Sequence, residues 1–188
     1  MEENKKVIGW VIGGVVLGVV GIYFAVTGGI DLTSGPSIEG EKTEQGTVVA
    51  PGTSAISDEG TVVTREGAPV RQDVTPGSPD APQQSNPITK AEIPSSAVKL
   101  EVSAAGFSPA QFTVDAGSAV TLSLTSTDDQ THVFLFDDPS LSAVAIGVGP
   151  GETRAISFNA PTKRGEYKFH DDVPGHAARG EVGVMIVE

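Results

Sequence analysis

From Val98 onward the chain alternates apolar and polar residues in short runs, and this period of two constrains the fold more tightly than any other feature of the sequence. Val98, Leu100 and Val102 form the first run, followed by Phe112 and Val114, then Val120, Leu122 and Leu124. Ile156 and Phe158, Tyr167 and Phe169, and Val182, Val184 and Ile186 continue the pattern. Turn-forming residues separate the runs at Ala105-Gly106, Asp115 to Gly117, Pro150-Gly151 and Lys163 to Gly165. Runs this short and this closely spaced predict an all-β antiparallel sandwich over residues 92–188, with apolar faces packed together about 10 Å apart. The uninterrupted Val133 to Phe136 reads as a buried central strand, and Ser140 to Ala145 as a single turn of helix.

The N-terminal half obeys different rules. Val7 to Ile30 carries no charge and is rich in Val, Ile and Gly. At about 1.5 Å per residue it crosses a hydrocarbon core of about 30 Å with some excess. Trp10 and Tyr23 lie near its ends, where amphipathic aromatics favour the interface. Lys5 and Lys6 precede the run and Asp31 is the first charge after it, so residues 1–6 are expected in the cytoplasm and everything from Asp31 outside. The expectation is a single-pass cell-membrane protein with an extracytoplasmic C-terminal domain. A cleaved signal peptide is the alternative, opposed by the length of the run and the lack of an A-x-A site. The Gly9/Gly13 and Gly14/Gly18 spacings are ordinary for a membrane helix.

Residues 31–91 are Gly, Pro, Ser, Thr and Glu without sustained apolar periodicity, and read as a disordered linker. As a flexible coil it would hold the domain roughly 40 Å from the membrane on average. The GTVV found at Gly46 and again at Gly60 is a short match in a biased segment and carries no repeat.

Charge and cysteine content exclude several functions. The formal net charge is -12, with nine acidic against four basic residues in 31–90 and thirteen against six in 91–188. Phosphate binding needs a basic patch, so nucleic acid is not an expected partner. With no cysteine, the chain can form no disulfide, redox dithiol or thiolate metal site.

The stretch from Gly165 to Gly183, GEYKFHDDVPGHAARGEVG, carries the chemistry. It resembles the ligand loop of cupredoxins, in which a Y-x-F-x-C strand leads into C-x4-H-x4-M. Tyr167 and Phe169 fill the aromatic positions, VPGH supplies His176, and Gly180 precedes the methionine position. Asp171 stands where that family has its thiolate, and Glu181 where it has its axial methionine. Upstream, VKLEVSAAGFSPAQFTVDAGSAVTLSLTSTDDQTHVFLF resembles the first half of the same fold, with His132 at the first histidine position, and Gly147 to Phe169 resembles the turn and strand before the ligand loop. The resemblance covers about the last hundred residues. It implies a cupredoxin-like Greek-key β-sandwich and a copper site at one end of it.

Strand parity agrees with part of this. Tyr167, Phe169 and Asp171 share one face, so if Phe169 faces the core Asp171 arrives at its edge, and His170 faces outward. With His176 and Glu181 from the following loop, and His132 if the family's architecture holds, the expected metal ligands are His132, Asp171, His176 and Glu181. His170 is a substitute ligand should the register shift by one. Such a set carries two negative charges with neutral imidazoles and suits a divalent ion, Cu(II) ahead of Zn(II); Cu(I) prefers the sulfur that is missing. Met185, four residues past Glu181, is expected in the core. Asp128-Asp129 and Asp137-Asp138 read as solvated loop charges.

Metal handling, as in copper acquisition or delivery, is therefore expected, and blue-copper electron transfer is not. The competing expectation is a sandwich that has lost its metal and serves as a surface interaction module. An acid/base pair of Asp171 and Glu181 would make a hydrolase, but no nucleophile accompanies it and four protein ligands would fill the open position a hydrolytic zinc requires. No enzyme is expected.

Overall fold

The computed structural model describes residues 48–188. The expected cytoplasmic residues 1–6, the membrane span over 7–30 and the linker residues 31–47 lie outside the described residues. Among the described residues no helix is long and apolar enough to cross a membrane.

The strands are β1 (Ala55–Ile56), β2 (Val62–Val63), β3 (Val98–Ser103), β4 (Gly106–Ser108), β5 (Gln111–Val114), β6 (Ala119–Ser126), β7 (His132–Phe136), β8 (Ala145–Val148), β9 (Thr153–Asn159), β10 (Gly165–Asp171) and β11 (Val182–Val187). One sheet runs β5-β11-β10-β7-β8 and the facing sheet β4-β3-β6-β9, while β1 and β2 form a separate hairpin. Among the described residues helical geometry is confined to short 3-10 turns, at Lys90–Glu92, at Pro139–Leu141 within reach of the helical turn expected over Ser140 to Ala145, and at Ala177–Arg179 in the ligand loop.

The all-β sandwich is as expected, but it is mixed rather than purely antiparallel, since β3 pairs with β6 and β5 with β11 in parallel. Alternation reports which face a residue occupies and not which way its neighbouring strand runs.

The core lies between the two sheets, mostly aliphatic with a cluster of aromatic rings around Phe169. Phe169 packs with ring-centre distances of 5.1 Å to Phe107, 5.7 Å to Phe112 and 4.8 Å to Phe134. In a strand pair, opposed residues share a face. Tyr167 opposes Met185, Phe169 opposes Gly183 and Gly165 opposes Val187, so Met185 and Val187 point inward, and both are buried. The inward parity expected for Val182, Val184 and Ile186 is therefore corrected: Val182 is exposed and the other two are only partly buried. β11 is apolar on both faces, so its sequence does not reveal the parity. Gly183 is required by this packing, because a Cβ there would lie 2.3 Å from Cζ of Phe169.

A second correction concerns residues 48–91, which are not a disordered linker. This segment runs along the free edge of β9: the Ser85 N–H donates to the Ala155 carbonyl at 2.8 Å, the Ala155 N–H to the Ser85 hydroxyl at 2.9 Å, and the Ile88 N–H to the Thr153 carbonyl at 2.9 Å. Farther along, the side chain of Gln72 accepts from the Asn159 N–H and that of Asn159 accepts from the Val62 N–H. The outer face of β6 and β9 is correspondingly small and hydroxylic. Thr121 bonds Ser157 at 3.0 Å, Ser157 donates to Thr53 at 3.2 Å, and Thr125 bonds Thr153 at 2.8 Å. Ala50, Val62 and Ala81 are buried with them. A segment poor in apolar residues is ordered here by borrowing a sheet edge, which also shields that edge from pairing with another chain.

Deleting residues 48–91 removes the five backbone-donated bonds between this segment and β9, given by the N–H groups of Val62, Ser85, Ile88, Ala155 and Asn159, and uncovers buried hydroxyls. At about 1 kcal/mol per hydrogen bond, the loss should be about 5 kcal/mol or more. Denaturant unfolding of 92–188 beside 48–188 measures it, and equal stability would show that the segment contributes nothing.

Candidate metal centre

The four expected ligands come together at one end of the sandwich. His132 opens β7 and shares the inward face with Phe134 and Phe136, and Asp171 closes β10 directly opposite Phe134. The loop between β10 and β11 then brings in the other two. His176 enters the 3-10 turn at Ala177–Arg179, and Gly180 ends that turn in the left-handed conformation at φ 104°, aiming Glu181 back into the sandwich. The Asp171 N–H donates to the Glu181 carbonyl at 3.0 Å and closes the loop.

One atom from each of His132, Asp171, His176 and Glu181 lies within 4.8 Å of every other. Nδ1 of His132 is 2.7 Å from Oδ2 of Asp171 and 3.2 Å from Oε2 of Glu181. Nδ1 of His176 is 2.9 Å from each of the same two oxygens. The side chains of His132, Asp171 and Glu181 are 0 % exposed and that of His176 is 8 % exposed, so an ion would enter past His176.

Each carboxylate is held by its far oxygen. Oδ1 of Asp171 accepts the N–H groups of Val133 at 2.9 Å and Val173 at 3.0 Å. Oε1 of Glu181 accepts Nε and Nη2 of Arg179 at 3.1 and 2.7 Å. The near oxygens, Oδ2 and Oε2, are left facing the two imidazoles. Two imidazole nitrogens and two single carboxylate oxygens form a donor set that fits Zn(II) or Cu(II) and lacks the sulfur of a blue-copper centre.

Asp128 is corrected from a solvated loop charge to a partner of the cluster. Its Oδ1 lies 2.9 Å from Nε2 of His132, and its carboxylate also accepts the N–H groups of Gln130 and Ala104. A carboxylate on the outer nitrogen of an imidazole fixes which ring nitrogen is free to bind metal. The spacing Asp128-x-x-x-His132 across a loop gives no periodic signal, and neither does the role of Arg179. His170 does not join the site, because Nδ1 faces Asp137 and Nε2 faces Asp172 at 3.4 Å on the outer surface. Met185 is fully buried core, as expected.

Ionisation follows from these contacts. Burial pushes the Asp171 carboxyl upward, yet the N–H groups of Val133 and Val173 and the His176 ring outweigh it and hold the group below its ordinary value. Burial likewise pushes His132 downward, but the carboxylates of Asp128 and Asp171 prevail and raise it. The hydrogen bond from His132 holds Asp128 well below the usual carboxylate range, against the opposing effect of its partial burial.

The match to known proteins can be set beside this geometry. The family model described as a cupredoxin-like domain matches residues 82–184. This chain belongs to the cupredoxin-like family. The cupredoxin-like match begins inside the segment packed on β9. Among solved structures, the chain is similar to a dithionite-reduced auracyanin from the photosynthetic bacterium Roseiflexus castenholzii, with 25% identity over 50% of this chain and 98% of that one and a TM-score of 0.44. It is also similar to auracyanin B, with 20% identity over 57% and 98% of the two chains and a TM-score of 0.45. A third is amicyanin from Paracoccus versutus, at 21% identity over 55% and 92% with a TM-score of 0.42. No curated protein sequence matches the chain.

The two shifts give the metal-free domain a bounded pH optimum. Asp171 is lowered from 3.8, so its contribution is present above 3.8 and is lost as pH falls through the lowered value. His132 is raised from 6.5, so its contribution is complete below 6.5 and is lost as pH rises through the raised value. Thermal denaturation of metal-free protein should therefore show highest stability between about pH 4 and 6.5 and a fall on the alkaline side. Stability that keeps rising above that range would contradict the ion network.

Proposed function

We propose that this is a membrane-tethered, extracytoplasmic cupredoxin-like protein that binds one divalent ion, Cu(II) or Zn(II), through His132, Asp171, His176 and Glu181, and that it handles metal rather than transferring electrons. The observation that carries the reading is the aim of the near oxygens: Oδ2 of Asp171 and Oε2 of Glu181 face two Nδ1 atoms while the far oxygens are bonded elsewhere.

Charge supports the same reading. Asp128, Asp171 and Glu181 against Arg179 leave two uncompensated negative charges when both imidazoles are neutral. A divalent ion balances them. Burying like charges together without a counterion is costly. An all-nitrogen-and-oxygen set favours the +2 state of copper and disfavours Cu(I), which is the physical ground for metal handling over a reversible copper couple. The proposed tether and extracytoplasmic placement are supported by the charge-free run over 7–30 and the Lys5, Lys6 flank of the sequence.

Calorimetric titration with Cu(II) and with Zn(II), beside a His176→Ala variant, tests the function. One-to-one binding is expected in the parent. Loss of an orienting partner of a metal ligand already costs 10- to 100-fold, so loss of the ligand itself should weaken binding by at least about 100-fold. Absence of binding in both proteins would make the cluster a metal-free ion network and favour a module that binds a protein partner.

A further inference from the structure

We propose that Arg179 is a positioning residue that makes Glu181 a one-oxygen ligand and thereby holds the centre at four-coordination, selecting Zn(II)-like ions over those that take five or more ligands. The proposal rests on the metal-binding reading of the same four residues.

The guanidinium places both Nε and Nη2 on the same carboxylate oxygen, Oε1, at 3.1 and 2.7 Å. Nη2 is itself steadied by Oε1 of Gln130 at 3.2 Å. The planar guanidinium converges two charge-assisted donors on this one oxygen, which anchors Oε1 on the guanidinium side of the carboxylate. Oε1 is then turned away from the cluster while Oε2 lies 2.9 Å from Nδ1 of His176 and 3.2 Å from Nδ1 of His132. For Glu181 to chelate an ion with both oxygens, Arg179 would have to leave.

Asp171 is restrained in the same sense, but by backbone N–H groups of Val133 and Val173, which side-chain substitution leaves in place. Arg179 is thus the restraint that a substitution can release. It sits between two ligands in the 3-10 turn and its side chain is 44 % exposed, so it reaches Glu181 from the surface without forming part of the apolar core. The consequence for specificity follows from ion preference. Zn(II) is satisfied by four N and O ligands in a tetrahedron, whereas larger or harder divalent ions take more oxygens and accept bidentate carboxylates.

The test uses the full-length chain in detergent, as wild type, Arg179→Gln and Arg179→Lys, with Co(II) as an optical probe and competition between Zn(II) and Mn(II). Wild type should give the intense visible bands of four-coordinate Co(II). Arg179→Gln frees Oε1, so its Co(II) bands should weaken toward those of higher coordination and its preference for Zn(II) over Mn(II) should fall about 10-fold. Arg179→Lys keeps a single donor for Oε1 and should lie between the two. A simple loss of structure would lower the affinity for every ion alike and leave the Zn(II) to Mn(II) ratio unchanged, so the spectra are compared at full Co(II) occupancy. Unchanged band intensity and an unchanged Zn(II) to Mn(II) ratio in Arg179→Gln would overturn the role of Arg179 while leaving metal binding intact. Wild type that takes up neither Co(II) nor Zn(II) would overturn the metal-binding reading itself, and this proposal with it.

Discussion

Two carboxylates buried side by side at the end of an apolar sandwich set the terms for everything around them. Asp171 and Glu181 are both removed from solvent, and each presents one oxygen to the same small volume. Carboxylates in such a place must be hydrogen-bonded and met by positive charge, or else take up protons. The surrounding residues divide that task. Backbone N–H groups and Arg179 bind the outer oxygens, and the rings of His132 and His176 face the inner ones. Asp128 completes the set by orienting His132 from behind.

The sandwich supplies the rigidity that this arrangement needs. Asp171 is placed by β10, and β10 is placed by Phe169, which is packed among Phe107, Phe112 and Phe134 and lies over Gly183 of the neighbouring strand. His132 is fixed in the same way by β7, whose Phe134 and Phe136 face the same core. Two ligands therefore sit on strands and two on a short loop closed by the Asp171 to Glu181 backbone bond. A site held by regular elements keeps its geometry without a bound ion, which is the condition for binding with little reorganisation. Oxygen donors at Asp171 and Glu181, in place of sulfur, set what this scaffold can hold.

Much of this was legible in the sequence, for identifiable reasons. Alternation exposed the core faces of the strands around Leu100, Leu122, Phe158 and Phe169, and the spacing of Asp171, His176 and Glu181 gave the ligand loop. Residues 48–91 were misread because their order comes from hydrogen bonds to β9 and not from apolar content of their own. The hint was on the other side of the contact: Thr121, Ser123, Thr125 and Ser157 are too small and too uncharged for a solvated sheet face. The parity of β11 was hidden because both of its faces are apolar. Asp128 and Arg179 act through tertiary neighbours, Asp128 on His132 and Arg179 on Glu181 and Gln130, and no local pattern marks such residues.

X-ray absorption at the zinc edge of the Zn(II)-loaded protein tests most directly whether the two carboxylates and two imidazoles form a single centre. The expected result is one shell of four nitrogen and oxygen scatterers at about 2.0–2.2 Å, with imidazole outer-shell features and no sulfur. A shell of six light atoms without imidazole features, as for an ion held loosely at the acidic surface, would contradict it.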